Sequence, residues 1–225
     1  MIQPKKAIRL GSRLRNIDSI ITSNYSIIWD CCCDHGLLGM SLLQRSSSES
    51  VYFVDVLKQP LIELTEKLQQ RFPIAEFSWK VLCCDLKRVE IPQQNNQLFI
   101  IAGVGGDKTI EFVKSIFSKT TTLQVDFLIC SVHGNYRVRE LLIELGYGLV
   151  DEAIIKENKR FYELIYFSKN SPVEISKTGN SMWDFGNFEH LEYLNKTIQH
   201  FQKKAKAAPQ KYTELLKDYE ALATK

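Results

Sequence analysis

Three observations predict an α/β fold built on a doubly wound, mostly parallel sheet. Short apolar runs alternate with amphipathic stretches up to about residue 145. Four of these runs stop abruptly in acids or glycines, in the segments SIIWDCCCDHGLL, VYFVD, WKVLCCD and LFIIAGVGG. A buried parallel strand looks like this where its C-terminal end meets a ligand crevice. After the alternation, two strand-like runs close the pattern as a hairpin, which makes one strand antiparallel and gives seven strands in all.

The elements follow in order. Leu10, Leu14, Ile17 and Ile21 recur at steps of four, three and four, forming one apolar stripe of a helix whose other side carries arginines. Ser26–Cys31 is the first strand and Leu37–Gln44 the helix after it, with the serine cluster Ser46–Ser50 as a loop. Val51–Val54 is the second strand, and Pro60 is placed to start a helix running to about Arg71. Phe77–Cys83, Gln97–Ala102 and Gln124–Cys130 are further strands, and Asp107–Ser118 and Tyr136–Leu145 the helices between and after them. Gly148–Ile155 and Arg160–Phe167 form the hairpin around a polar turn, Lys156–Lys159. Asn170–Gly186, rich in Ser, Pro, Gly and Asn, reads as a linker. Two amphipathic helices broken near Pro209 then predict an antiparallel helical hairpin, whose seam could close on itself, dock on the body or bind a partner. The expected division is a sheet domain over 1–168 and a linker with hairpin over 169–225.

Composition excludes several classes. The chain of 225 residues is 44% hydrophobic and 24% charged, as in ordinary soluble proteins. Its apolar runs stop short of the roughly 18–20 residues that cross a membrane, and no apolar core follows the early basic residues, so neither a span nor a signal peptide is expected. A cytoplasmic protein follows. The six cysteines fall in apolar runs, three of them consecutive, and predict small buried residues of a reducing compartment. Cys33, Asp34 and His35 are competent metal ligands, but no C-x-x-C pair is present and no metal is expected. Lys5, Lys6, Arg9, Arg13 and Arg15 lie in the first fifteen residues without any acid, leaving a slightly acidic body. Such an arm suits an anionic partner, nucleic acid among them, although a solvated helix face has the same composition.

The strand ends suggest a nucleoside-bearing cofactor. Asp55 ends the second strand where a ribose-binding carboxylate belongs, and Asp85 follows the third, placed to accept from an adenine amine. Gly103, Gly105 and Gly106 let the backbone approach a reacting group. Each acid could equally be a helix cap; the ordered set carries the inference. No G-x-G-x-x-G occurs, which weighs against a dinucleotide and leaves S-adenosylmethionine, which has no phosphate to cradle. The candidate cofactor set is Asp30, Cys32, Gly36, Asp55, Val56, Asp85, Leu86, Ala102, Gly103 and Gly105.

Through these motifs the chain resembles the bacterial tRNA (adenine-N1)-methyltransferases of the TrmK type. L-x-x-R-L at Leu10–Leu14 matches the family's opening, and WDCCCDHGLL at Trp29–Leu38 resembles its D-I-G-(S/T)-D-H-(A/G)-x-L. IAGVGG at Ile101–Gly106 stands for I-A-G-M-G-G, and Arg139–Ile165 is similar to a stretch ending in Y-E. The terminal helical hairpin is also a family feature. The resemblance implies a class I methyltransferase fold and methylation of N1 of an adenine, position 22 of tRNA in the family. Asp34 would be the catalytic carboxylate that stabilises the cationic product or takes a proton from the exocyclic amine, with His35 shaping the pocket. Arg9, Arg13, Arg15, Gly106, His133, Asn135 and Tyr136 would meet the substrate, Tyr136 as a platform for the unstacked base. RNA is the expected partner, not DNA, and the chain is expected to be a monomer or a weak dimer through the hairpin. Two departures stand out. Cys31-Cys32 replaces Ile-Gly, which crowds the cofactor approach, and Cys130-Ser131-Val132 replaces Gln-Pro-Asn beside the substrate pocket. The alternatives are the same fold acting on another RNA, a protein or a small molecule, and a non-enzymatic RNA-binding module that has lost its cofactor.

Overall fold

Alternating residues of each strand supply two apolar layers, and the chain covers both faces of the sheet they create. The computed structural model describes residues 7–224. Its strands are β1 (Tyr25–Cys31), β2 (Ser48–Asp55), β3 (Trp79–Cys83), β4 (Gln97–Ala102), β5 (Val125–Cys130), β6 (Gly148–Glu157) and β7 (Arg160–Ser168). They form one sheet in the order β3-β2-β1-β4-β5-β7-β6. β1 to β5 are parallel, and β7 is antiparallel to both neighbours. The predicted fold class is therefore observed.

Trp29, Tyr52, Phe99 and Phe127 face one layer, against α4 (Gly106–Lys119) and α5 (Asn135–Glu144). Ile28, Phe53, Leu98 and Leu128 face the other, against α1 (Ser12–Ile20), α2 (Leu37–Gln44) and α3 (Lys58–Arg71). The order reverses between β1 and β4, and all five parallel strands deliver their C-terminal ends to the same edge there. That is where an open α/β sheet binds ligands.

Three local expectations are corrected. Ser48 and Ser50 are strand, paired with Tyr25 and Ile27, because ladder pairing outweighs the turn propensity of serine. Strand β6 continues to Glu157, leaving Asn158 and Lys159 as a two-residue turn with φ of 49° and 63°, the left-handed pair that suits a twisted hairpin. The 170–186 segment packs closely: Ile175, Met182 and Trp183 are buried, and Leu149 N–H donates to the Val173 carbonyl (2.8 Å).

The carboxy-terminal helices α6 (Phe188–Ala207) and α7 (Pro209–Leu222) form the expected hairpin. Asn187 Oδ1 caps α6 by accepting from Glu189 N–H (2.9 Å), and Pro209 opens α7. The seam docks on the body: Leu194, Leu215, Tyr219 and Leu222 pack with Tyr136, Met182 and Trp183. Among the described residues no helix is long and apolar enough to cross a membrane.

Candidate functional site

The loop after β1 is held in an unusual shape. Cys32, Asp34 and Gly36 all have positive φ, at 57°, 49° and 63°. A Cβ at Gly36 would lie 2.6 Å from Leu64 Cδ1, so glycine is required there. Cys32 adopts the left-handed conformation without being glycine, at a cost of about 1–2 kcal/mol. The backbone therefore keeps a glycine-like shape at the position where cysteine replaces the glycine. Burial pushes the Cys32 thiol up to about 12, with the nearby Asp55 and Asp30 carboxylates adding to the shift, so it is neutral at physiological pH. Cys130, raised by burial to about 11, is neutral as well.

Asp55 ties this loop to β2. Its Oδ2 accepts from Asp34 N–H (3.0 Å) and its Oδ1 from Leu57 N–H (3.0 Å). The carboxylate remains half-exposed, and Val56 beside it stands 64% exposed, an apolar surface next to an acid. Asp85, after β3, caps a single helical turn through Lys87 N–H (2.9 Å), while Leu86 is buried beneath it. Asp34 and His35 are open to solvent, with His35 Nε2 3.8 Å from Asp34 Oδ1. Three carboxylates thus lie along one edge, which suits a cationic ligand and disfavours a pyrophosphate.

Asp30 sits apart from this edge. It is buried in the layer of α2, and its Oδ2 accepts from Gly39 N–H (2.8 Å), pinning the first turn of α2 to β1. Desolvation raises its pKa to about 7 against the opposing hydrogen bond. It shapes the loop from below.

The two later glycines serve packing. Gly106 is buried and its N–H donates to the His133 carbonyl (2.8 Å); a Cβ there would lie 2.8 Å from that oxygen. A Cβ on Gly105 would lie 2.7 Å from the His133 ring. These glycines join the loop after β4 to the loop after β5. Gly103 differs: it is exposed with φ 83°, and with the half-buried Ala102 it forms the open end of β4.

Of the predicted basic arm, Lys5 and Lys6 lie outside the described residues. Arg9 and Arg15 are exposed, whereas Arg13 turns inward. Its guanidinium stands 3.7 Å from Glu157 Oε2 and 5.1 Å from the Tyr162 ring, and Nη1 lies 3.8 Å from where a Gly103 Cβ would be. Arg13 Nε and Nη1 are buried, and neither makes a hydrogen bond within 3.5 Å; the guanidinium is held by the Glu157 carboxylate and lies near the Cys130 thiol. Arg13 is thus an inward-turned, Glu157-paired cation near the open end of β4. Glu157 and Tyr162, which orient it, were not among the predicted residues, because their positions depend on the reach of β6 and β7.

The loop after β5 carries the remaining candidates. His133 is exposed and Asn135 is buried, its Oδ1 without a partner. Tyr136 is 5% exposed, and its hydroxyl donates to Asp218 (2.7 Å) on α7. Its ring packs against Tyr219 (6.2 Å between centroids), so it joins hairpin to body and offers no free face for a base. Among the described residues no three His, Cys, Asp or Glu side chains are grouped to hold a metal ion.

Residues 10–165 match the profile of a family described as a methyltransferase domain. No curated protein matches the chain in sequence. Solved structures share the fold. TrmK of M. capricolum, in complex with S-adenosyl-homocysteine, is 21% identical with a TM-score of 0.75, covering 96% of each chain. The m1A22 tRNA methyltransferase TrmK of B. subtilis is 18% identical with a TM-score of 0.72, covering 96% of this chain and 95% of that one. The Synechocystis magnesium protoporphyrin IX methyltransferase, at 13% identity and a TM-score of 0.58, covers 76% of this chain and 85% of its own.

Proposed function

As the chain belongs to the methyltransferase-domain family, we propose that it methylates N1 of an adenine in tRNA, using S-adenosylmethionine. The observation that carries the reading is the acidic edge at the strand reversal, with Asp34, Asp55 and Asp85 beside the exposed Val56. The named folds of M. capricolum and B. subtilis, matched over nearly the whole chain and its hairpin, favour tRNA as substrate. The cytoplasm is the matching compartment.

The residues present fit the cofactor. Asp55 would take the ribose hydroxyls, Val56 would wall the adenine, Asp85 would accept from its amine with Leu86 backing it, and Ala102 with Gly103 would pass the methionine end. When bound, S-adenosylmethionine supplies an electrophilic methyl on a sulfonium. The carboxylates do not compete with that charge; they favour it.

Adenine N1 attacks with its own lone pair, so positioning supplies most of the rate. The base would become cationic as N1 takes the methyl, the sulfur–carbon bond breaking and its electron pair staying on a neutral thioether. Asp34, whose backbone N–H donates to Asp55, would offset that charge or accept a proton from the exocyclic amine. Arg13, oriented by Glu157 and Tyr162, would add positive charge beside the substrate at the end of β4. Arg9 and Arg15 would meet phosphates.

Calorimetric titration with S-adenosylmethionine, with Asp55→Ala beside the wild type, tests the cofactor. Binding lost in the variant supports the reading; methyl incorporation into tRNA transcripts then tests the substrate. A well-folded wild type that binds no cofactor refutes the enzymatic reading and leaves a non-enzymatic module.

A further inference from the structure

A cavity of about 800 Å³ opens between the body and the hairpin, and apart from the substrate candidates His133, Asn135 and Tyr136 its lining takes no part in the chemistry above. One end is formed by His133 and Asn135, at the substrate side of the strand ends. From there it runs past the β6–β7 turn to the bend between α6 and α7. Its volume is that of a site for a few splayed monomers.

The walls carry unpaired positive charge. Lys159 and Arg160 project from the β6–β7 turn, and Lys204 and Lys211 from the helical bend; all four are exposed. Among the described residues none of them forms an ion pair. The acids on the walls are already spent: Asp107 pairs with Arg137 (2.7 Å), and Glu163 is buried against Arg139 (3.1 Å). The free charge facing the cavity is therefore positive.

Two aromatic stacks end at the same cavity. Phe161 lies on Tyr193 (5.1 Å, 23°), and Tyr193 lies parallel to Trp183 in the core (5.5 Å, 21°). Tyr212 lies against Phe201 (6.1 Å), which stacks on the buried Tyr219 (5.8 Å, 10°). Each stack is anchored inside the protein and terminates in a half-exposed ring. Lys204 and Lys211 lie over Tyr212 (5.3 and 5.4 Å to the ring centroid), and Lys156 and Lys196 over Phe161 (5.0 and 5.4 Å). Aromatic platforms covered by long, solvent-exposed lysines are what unpaired nucleotides use, bases replacing the lysines on the rings while the ammonium groups move to the phosphates.

We infer that this cleft holds the single-stranded RNA next to the target base, stacking on Phe161 and Tyr212 with its phosphates on Lys159, Arg160, Lys204 and Lys211. The inference rests on the proposed function only for the identity of the base at the His133 end. A duplex would present no free base faces to the rings, so single strands are preferred.

The test uses the full chain and a fluorescein-labelled, mixed-sequence RNA 12-mer, single-stranded and annealed to its complement, read by anisotropy at two salt concentrations. Phe161→Ala and Tyr212→Ala each weaken single-strand binding about tenfold. Lys204→Glu with Lys211→Glu, both on exposed positions, flattens the log–log salt slope by about 1.4. Thermal unfolding and S-adenosylmethionine affinity stay unchanged in the lysine variant, since neither residue borders the strand-end acids. Single-strand affinity within twofold of wild type in folded variants overturns the inference. So does equal affinity for the duplex, or displacement of the RNA by a polyglutamate peptide at lower concentration than by unlabelled RNA. If the wild type transfers no methyl to tRNA but the cleft variants lose RNA, the enzymatic reading falls and the cleft stands.

Discussion

Replacing Arg139 with methionine will destabilise the protein more than any substitution at the proposed site. The Arg139 side chain is 0% exposed, and the Glu152 and Glu163 side chains beside it are 1% exposed. Arg139 Nη1 donates to Glu152 Oε2 (2.6 Å), and its Nε and Nη2 donate to Glu163 Oε2 (3.2 and 3.1 Å). Glu152 Oε1 accepts from Ser181 N–H (2.8 Å) and Glu163 Oε1 from the Tyr193 hydroxyl (2.9 Å). One guanidinium thus ties α5, β6, β7, the 170–186 segment and α6 together. Arg139→Met leaves two buried carboxylates without a counter-charge, a loss of about 3–5 kcal/mol. With a urea slope of about 3 kcal/mol/M, the midpoint falls by about 1–1.7 M. Adding Glu152→Gln and Glu163→Gln recovers most of the loss. A single-variant loss under about 1 kcal/mol, or a triple variant no more stable than Arg139→Met alone, refutes the reasoning.

Other perturbations separate the roles of individual acids. Asp30→Asn keeps the bond from Gly39 N–H and removes a carboxyl whose folded pKa is raised to about 7. A raised carboxyl stabilises below its unfolded pKa and less so as pH climbs through 7, so the variant's gain over wild type grows by about 2 kcal/mol from pH 5 to pH 8 in urea unfolding; a constant difference contradicts this. Asp34→Asn lowers the single-turnover methyl-transfer rate by about 10²-fold with cofactor affinity within threefold by calorimetry; full turnover removes Asp34 from catalysis. Cys32→Gly relieves the left-handed strain at φ 57° and tightens S-adenosylmethionine binding by about fivefold, a gain near 1 kcal/mol; weaker binding would show that the thiol contributes a contact.

The strands were legible because their signal is local. An apolar run that meets an acid or a glycine needs no knowledge of its neighbours, and β1, β2, β4 and β5 were placed to within a few residues on that basis. Ser48 and Ser50 were misread for the opposite reason: their conformation is imposed by pairing with β1, and nothing in a serine run announces a partner. The same holds for 170–186. Its composition is that of a linker, yet Ser176 gives its carbonyl to Arg139 (3.2 Å) and the Trp183 indole N–H donates to the Thr178 carbonyl (2.9 Å). Composition reports the unfolded cost of a segment, not the groups waiting to bind it.

The candidate site divides along the same line. Asp55, Asp85 and the exposed Gly103 lie where strand-end reasoning placed them, because a parallel sheet sends every C-terminal end to one edge. Residues whose role depends on crossing between elements were assigned to chemistry when they hold the frame. Tyr136 bonds to Asp218, Gly106 closes on His133, and Asp30 pins α2. The arginine and Y-E ending of the stretch Arg139–Ile165 belong here too: Arg139 and Glu163 meet in the buried staple, far from the strand-end acids in role. These residues fasten the hairpin to the body, and the staple joins the apolar seam in shaping the cleft between them. Stability of the staple and RNA binding by the cleft are therefore coupled, and Arg139→Met should weaken single-strand binding even under conditions where the sheet stays folded.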